Sequence, residues 1–264
     1  MLTSALKGLV IATADEAGTN AGPDYRFGWG LLNVQTAATL ITNNYTSGSL
    51  ANIKEVRLGN GDYVEFPVVA TNTKPLRVSI CWTDPAGTPA AVGVDRTNRM
   101  LVNDFDLRVV SPSSTTNFPW VLNPASPASA ATTGDNIRDN VEQVQIASPT
   151  SGQYLVRVTH KGTLVNDLGQ TTNQNISILI SGNVVQPPIV PVITSILQTS
   201  SNTLALKWSS EVGRVHRVQY RDDLVSGSWQ YATGELSVTK TNTATSVTFS
   251  PSQTSRFYRI QQLR

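Results

Sequence analysis

Near residue 50 the spacing of apolar residues changes from helical to alternating, and it does not change back. Upstream, "LTSALKGLVIATA" (residues 2–14) sets Leu2, Leu6, Leu9 and Val10 at helical spacing, with Thr3 and Ser4 able to cap the start. A loop rich in Gly, Asn and Pro follows over residues 15–30 and ends in "FGWG". Val34, Ala37, Ala38 and Ile41 then keep the i, i+3, i+4, i+7 pattern behind Asn33 as N-cap. Two helices this short bury too little apolar surface to stand alone, so the larger body they would pack against is expected to be missing.

From Glu55 to Ser181 the pattern is one of short strands and turns. "DYVEFPVVA", "LRVSICWT", "DFDLRVV", "EQVQI", "QYLVRVTH" and "ISILIS" are the clearest strands, with "KEVRL" and "FPWVL" weaker. About eight strands in one unit suit a double-sheet jelly roll, with "SPASAATTGDN" as a long surface loop. Three prolines in "NVVQPPIVPV" (residues 183–192) mark an extended linker. Beyond it "LALKW", "HRVQY", "WQYA", "LSVTK", "TSVTFS" and "RFYRIQQL" are spaced as in an immunoglobulin- or fibronectin-like sandwich. The expected chain is therefore mainly β, in three parts: helices over 1–48, a jelly roll over 49–186 and a sandwich over 187–264.

Composition narrows the functions. The net charge of +2 lends no support to a nucleic-acid partner. Residues 188–264 carry eight Lys/Arg against four Asp/Glu, a weak bias toward an acidic surface. The one cysteine, Cys81, excludes an intrachain disulfide and reads as a small buried hydrophobe in "LRVSICW". No apolar run is long enough to span a bilayer.

The helical segment resembles the end of a subtilisin-like serine protease domain. The matching residues are Leu6-Lys7-Gly8-Leu9-Val10-Ile11-Ala12-Thr13-Ala14-Asp15, then Pro23-Asp24, Gly28-Trp29-Gly30, Asn33 and Ala37. "VSICWTDPAGT", "LVNDFDLRVVSP" and "DNVEQVQIASPTSGQYLVRV" resemble the β-domain that follows the catalytic domain in certain secreted bacterial subtilases. "RVQYRDDLVSGSW" and "RFYRI" are similar to fibronectin-like modules at the C-termini of secreted bacterial enzymes. The family's nucleophile sits in a Gly-Thr-Ser motif ahead of residues 2–14, with its Asp and His further upstream. All three are absent here, and Gly87-Thr88-Pro89 carries proline where the serine would be.

The resemblance implies the non-catalytic C-terminal region of a secreted serine endopeptidase, inactive alone. Its partners would be the missing catalytic domain, the protein substrate of the parent enzyme, and a cell surface or polysaccharide for the last module. The alternative is a stand-alone extracellular binding or adhesion module. His160 and His216 fall in different modules and read as strand residues rather than members of a triad.

For a metal, the β-domain gathers Asp84, Asp95, Asp104, Asp106, Asp135, Asp139 and Glu142, with Asn103, Asn136 and Asn140 beside them. These hard oxygen ligands suit Ca²⁺, and no His/Cys cluster suits zinc. Alternation places Asp104 and Asp106 on one strand face, where two carboxylates repel unless a cation or an arginine lies between them. Arg108, on that same face, supplies the plainer explanation. Structural Ca²⁺, common in related β-domains, is expected on a set drawn from Asp84, Asp104, Asp106, Asp139, Asn140 and Glu142. Among Trp29, Trp82, Trp120, Trp208 and Trp229, Trp120 in "NFPWVLNP" is the candidate for an exposed sugar-stacking platform.

Overall fold

The structure, a computed structural model, describes residues 1–46, 49–94, 96–182, 184–185, 189–252 and 255–263. The candidate ligand Asp95 lies outside them, as do Asn183, Pro187 and Pro188 of the expected linker. The protein is mainly β, with two helices among the described residues, and it divides into two compact units, Met1–Gln186 and Pro187–Arg264.

In the first unit, helices α1 (Thr3–Ala12) and α2 (Val34–Asn43) precede the strands. The strands of its two main sheets are β1 (Ile53–Leu58), β2 (Val64–Ala70), β3 (Leu76–Trp82), β4 (Asp104–Val110), β5 (Thr116–Asn117), β6 (Val141–Ile146), β7 (Gly152–Lys161), β8 (Gln174–Ser181) and β9 (Val184–Val185). They form an antiparallel four-stranded sheet, β6–β3–β8–β1, and an antiparallel five-stranded sheet, β9–β2–β7–β4–β5. Residues alternate between buried and accessible along β2, as expected of a strand with one face on a core. On β3 all but Arg77 are buried, and on β8 the run 176–180 is buried, because both faces are covered there. The two sheets meet where the Trp82 ring lies edge-on to Phe105, 5.2 Å between centroids.

The other face of the four-stranded sheet carries α1. The sequence points to Leu2, Leu6, Leu9 and Val10 as the buried side, yet the residues that meet the strands are Ser4, Ala5, Gly8, Leu9 and Ala12. Close approach decides the matter. A Cβ on Gly8 would fall 2.2 Å from Leu179 Cδ1, so the helix can lie this near only with its small residues inward. Leu9, Leu40, Ile53 and Leu179 close the cluster. Ser4 does not cap the helix; its hydroxyl shares a buried 2.7 Å hydrogen bond with that of Ser177.

Other large apolar side chains of the helices stay outside. Leu6 and Val10 are 56% and 49% accessible, and Val34 and Ile41 on α2 are 66% and 45%. Asn33 caps α2 as expected, its Oδ1 accepting from Thr36 N at 2.8 Å. In the turn before it, Gly30 has φ +105°, and a Cβ there would sit 2.1 Å from the Asp15 carbonyl oxygen, so no other residue fits.

The second unit contains β10 (Ile193–Ser200), β11 (Thr203–Ser209), β12 (Val215–Arg221), β13 (Gln230–Tyr231), β14 (Leu236–Ser237), β15 (Asn242–Thr248) and β16 (Phe257–Gln262). One sheet runs β10–β11–β15; in the other, β12 is flanked by β13, β14 and β16. Leu206, Trp208, Val218 and Val247 make the core. β10 has no counterpart among the expected strands. It pairs with β11 through two register shifts and leaves Ile196 and Leu197 exposed, so it lacks the alternation that would reveal it.

Candidate functional site

Of the candidate ligands, Asp104, Asp106 and Glu142 come together with Asp135 near the outer edge of the five-stranded sheet. There β4 pairs with β7 along its length, while β5 reaches only Val109 and Val110 among the described residues. Side chains take over where β5 stops. Leu107 N donates to Glu142 Oε2 at 2.6 Å, and Arg108 Nη1 donates to the Leu107 carbonyl at 2.8 Å. A backbone group that would otherwise be buried without a partner is thereby satisfied.

Register brings the charges together. Asp104 lies opposite Lys161 and Asp106 opposite Thr159 across the β4–β7 pair, so Asp104, Asp106 and Lys161 share one face. Lys161 Nζ stands 3.5 Å from Asp104 Oδ2, 3.0 Å from Asp106 Oδ1 and 2.8 Å from each oxygen of Asp135. Arg108 bridges Asp106 at 3.0 Å and Asp135 at 2.9 Å while its guanidinium lies 4.7 Å from the Phe118 ring centroid. Arg99 reaches Asp104 at 3.0 Å.

Asp104 and Glu142 are buried, and each keeps one oxygen with no hydrogen-bond partner. Burial pushes the Glu142 carboxyl up to about 8, and the charges of Asp106 and Asp104 add to the shift. It is therefore uncharged at neutral pH. Burial likewise raises Asp106. Asp135 is held well below the usual carboxylate range, first by its hydrogen bond with the Asp106 side chain and then by Lys161 and Arg108. Lys161 is raised by its hydrogen bonds to Asp135 and Asp106, which outweigh its partial burial.

Among the described residues no group of three or more His, Cys, Asp or Glu is arranged to hold a metal. The point on which the oxygens of Asp104, Asp106 and Asp135 converge is held by an ammonium group. The other expected ligands are engaged elsewhere. Asp84 accepts from Val102 N at 2.7 Å and Asn103 N at 2.9 Å, tying down the loop ahead of β4. Asp139 closes a turn with Asn136 Nδ2 at 2.9 Å. Asn140 binds Lys7 of α1 through its Oδ1 and donates to the Trp82 carbonyl at 3.0 Å, so it fastens the helix to the sheet edge. Sequence reasoning missed Lys161. It ended the strand at His160, one residue short, and only the β4–β7 register places the lysine on the aspartate face.

Neither histidine sits in a triad. His160 Nε2 accepts from Gly61 N at 3.1 Å, and its ring lies 6.0 Å from that of Phe105. His216 is buried in the second unit, where its Nδ1 accepts from Trp208 Nε1 at 2.9 Å, and burial lowers its pKa. Cys81 is buried and its thiol is pushed up to about 12 by burial, which leaves it inert. Trp120 is half-buried rather than free, and a Cβ on Gly22 would lie 2.7 Å from its ring. In the second unit Trp229 lies between two guanidinium groups, 4.4 Å from that of Arg259 and 5.6 Å from that of Arg221.

No protein-family profile and no curated protein matches the chain. Among solved structures, a β-1,2-glucanase from Parabacteroides distasonis is similar at 9% identity, over 80% of this chain and 34% of that one, with a TM-score of 0.17. The chain thus spans about a third of that protein's length, and a superposition this loose carries no weight for fold or activity.

Proposed function

We propose that this chain is the non-catalytic C-terminal region of a secreted subtilisin-like serine endopeptidase. On this reading α1 and α2 are the last helices of a catalytic domain, and the two sheets of the first unit are a jelly roll that braces it. The second unit is a fibronectin-like module that attaches the enzyme to a surface. The observation that supports it best is the unburied apolar side of the helices, with Leu6, Val10, Val34 and Ile41 all open to solvent. The Gly30 turn supports it too, since it returns the chain to α2 at a position only glycine can occupy.

One observation favours the stand-alone binding module instead. The small-residue side of α1 is fitted to strands of its own chain through Gly8, Ser4 and the Lys7–Asn140 bond, as in a unit that is complete. The DNA upstream of the Met1 codon separates the two. The protease reading expects an open frame encoding a Gly-Thr-Ser segment, and the purified 264-residue chain should leave casein uncut. A stop codon and a ribosome-binding site immediately ahead of Met1, or hydrolysis by the pure chain, would refute it.

A further inference from the structure

We propose that Lys161 is a built-in counter-cation: its ammonium group occupies the centre of the Asp104–Asp106–Asp135 cluster and locks this edge of the β-domain without a metal ion. The inference rests on the geometry of the cluster alone and stands whether or not the chain derives from a protease.

Three features carry it. The first is position. Four carboxylate oxygens from three residues surround Nζ at 2.8–3.5 Å, the arrangement of a small coordination shell about its ion. Calcium–oxygen distances are about 2.3–2.6 Å, so the oxygens stand too far out for that ion and at ordinary range for an ammonium. The second is charge. Asp104, Asp106 and Asp135 contact Arg99, Arg108 and Lys161, three acidic side chains against three basic ones. A divalent ion added to that set would meet no unbalanced negative charge.

The third is attachment. The register that sets Lys161 across from Asp104 starts its side chain on the aspartate face, within reach of all three carboxylates. Asp135 comes from the loop between β5 and β6, so the lysine ties that loop to the sheet as a bound ion would. The site is also partly open, with the Lys161 side chain 42% accessible, so water can fill the space if the ammonium is removed.

The test compares the full chain with its Lys161→Ala and Lys161→Arg variants, each melted in EDTA and again in millimolar CaCl₂. The wild type should melt at the same temperature in both. Lys161→Ala should melt lower in EDTA and recover by about 3 °C or more with calcium, and should bind terbium, because the emptied centre then needs a cation. Lys161→Arg keeps the charge and should stay indifferent to calcium. A wild-type melting temperature that falls on chelation and returns with calcium would overturn the proposal. So would a Lys161→Ala protein that melts like the wild type and ignores both ions. If Lys161→Ala folds only when calcium is supplied, that outcome supports it. If it does not fold under either condition, the wild-type and Lys161→Arg melts still decide.

Discussion

The two sheets of the first unit are covered in opposite ways. The four-stranded sheet is closed by a helix laid against it through Ser4, Ala5, Gly8 and Ala12, a contact so close that volume limits it. The five-stranded sheet is closed along part of its outer edge by polar and charged side chains: Glu142 and Arg108 satisfy Leu107, and Lys161 gathers three aspartates. Substitutions that change size should therefore act on the first sheet, and changes of charge or pH on the second.

The largest effect is expected at Glu142. Its carboxyl stands at about 8 in the folded protein against an ordinary value of 4.5. Below 4.5 both folded and unfolded chains hold the proton, and the group imposes no penalty. As pH rises toward 8 the unfolded chain releases the proton while the folded one keeps it, so stability falls across that window and levels off above it. Glu142→Gln is uncharged at every pH and can still accept from Leu107 N. It should flatten this fall and be more stable than the wild type by on the order of 3 kcal/mol near pH 8, with little difference at pH 4. Urea denaturation at the two pH values measures it. A glutamine variant less stable than the wild type at pH 8 would mean that the buried carboxyl is ionised and that the edge needs its charge.

On the other sheet, Gly8→Leu should lower stability by about 2 kcal/mol through overpacking, with no change in pH dependence. A side chain there meets Leu179 and Cys81 at once, and the helix must lift or the strand must give. Calorimetry at pH 5 and pH 8 should show the same downward shift at both. A shift confined to one pH would dissolve the contrast between the sheets.

The sequence carried some of this and hid the rest for identifiable reasons. Asn33 was legible as a cap because side-chain capping is local, whereas the demand for glycine at position 30 comes from the Asp15 carbonyl, distant in sequence. Asp104 and Asp106 were legible as sharing a face because alternation fixes it. Lys161 depends on the register between two strands some 50 residues apart, which composition does not encode. Asp139, Asn140 and Glu142 looked like one ligand group because they are adjacent in sequence. In the fold the first closes a turn, the second holds α1 and the third enters the edge of the other sheet. The buried side of α1 was misread for a related reason. Hydrophobicity favoured Leu6 and Val10, whereas closeness to β3 and β8 selected glycine and alanine.

That misreading leads to the smallest effect, and to the one that bears most on function. If Leu6 and Val10 do nothing in this chain, Leu6→Ser with Val10→Ser should change its stability by no more than about 0.5 kcal/mol, as for other exposed sites. Their effect should instead appear in association. An apolar side left open on α1 adheres to dyes and to other copies of the chain, so the double variant should bind less of a hydrophobic dye and stay monomeric at higher concentration in light scattering. Gly8→Leu tests the side of the helix that its own sheet needs, and the double serine variant tests the side that this chain does not use. A loss of several kcal/mol on changing Leu6 and Val10 would show that the unit needs both sides of the helix for itself, leaving no surface to offer a catalytic domain.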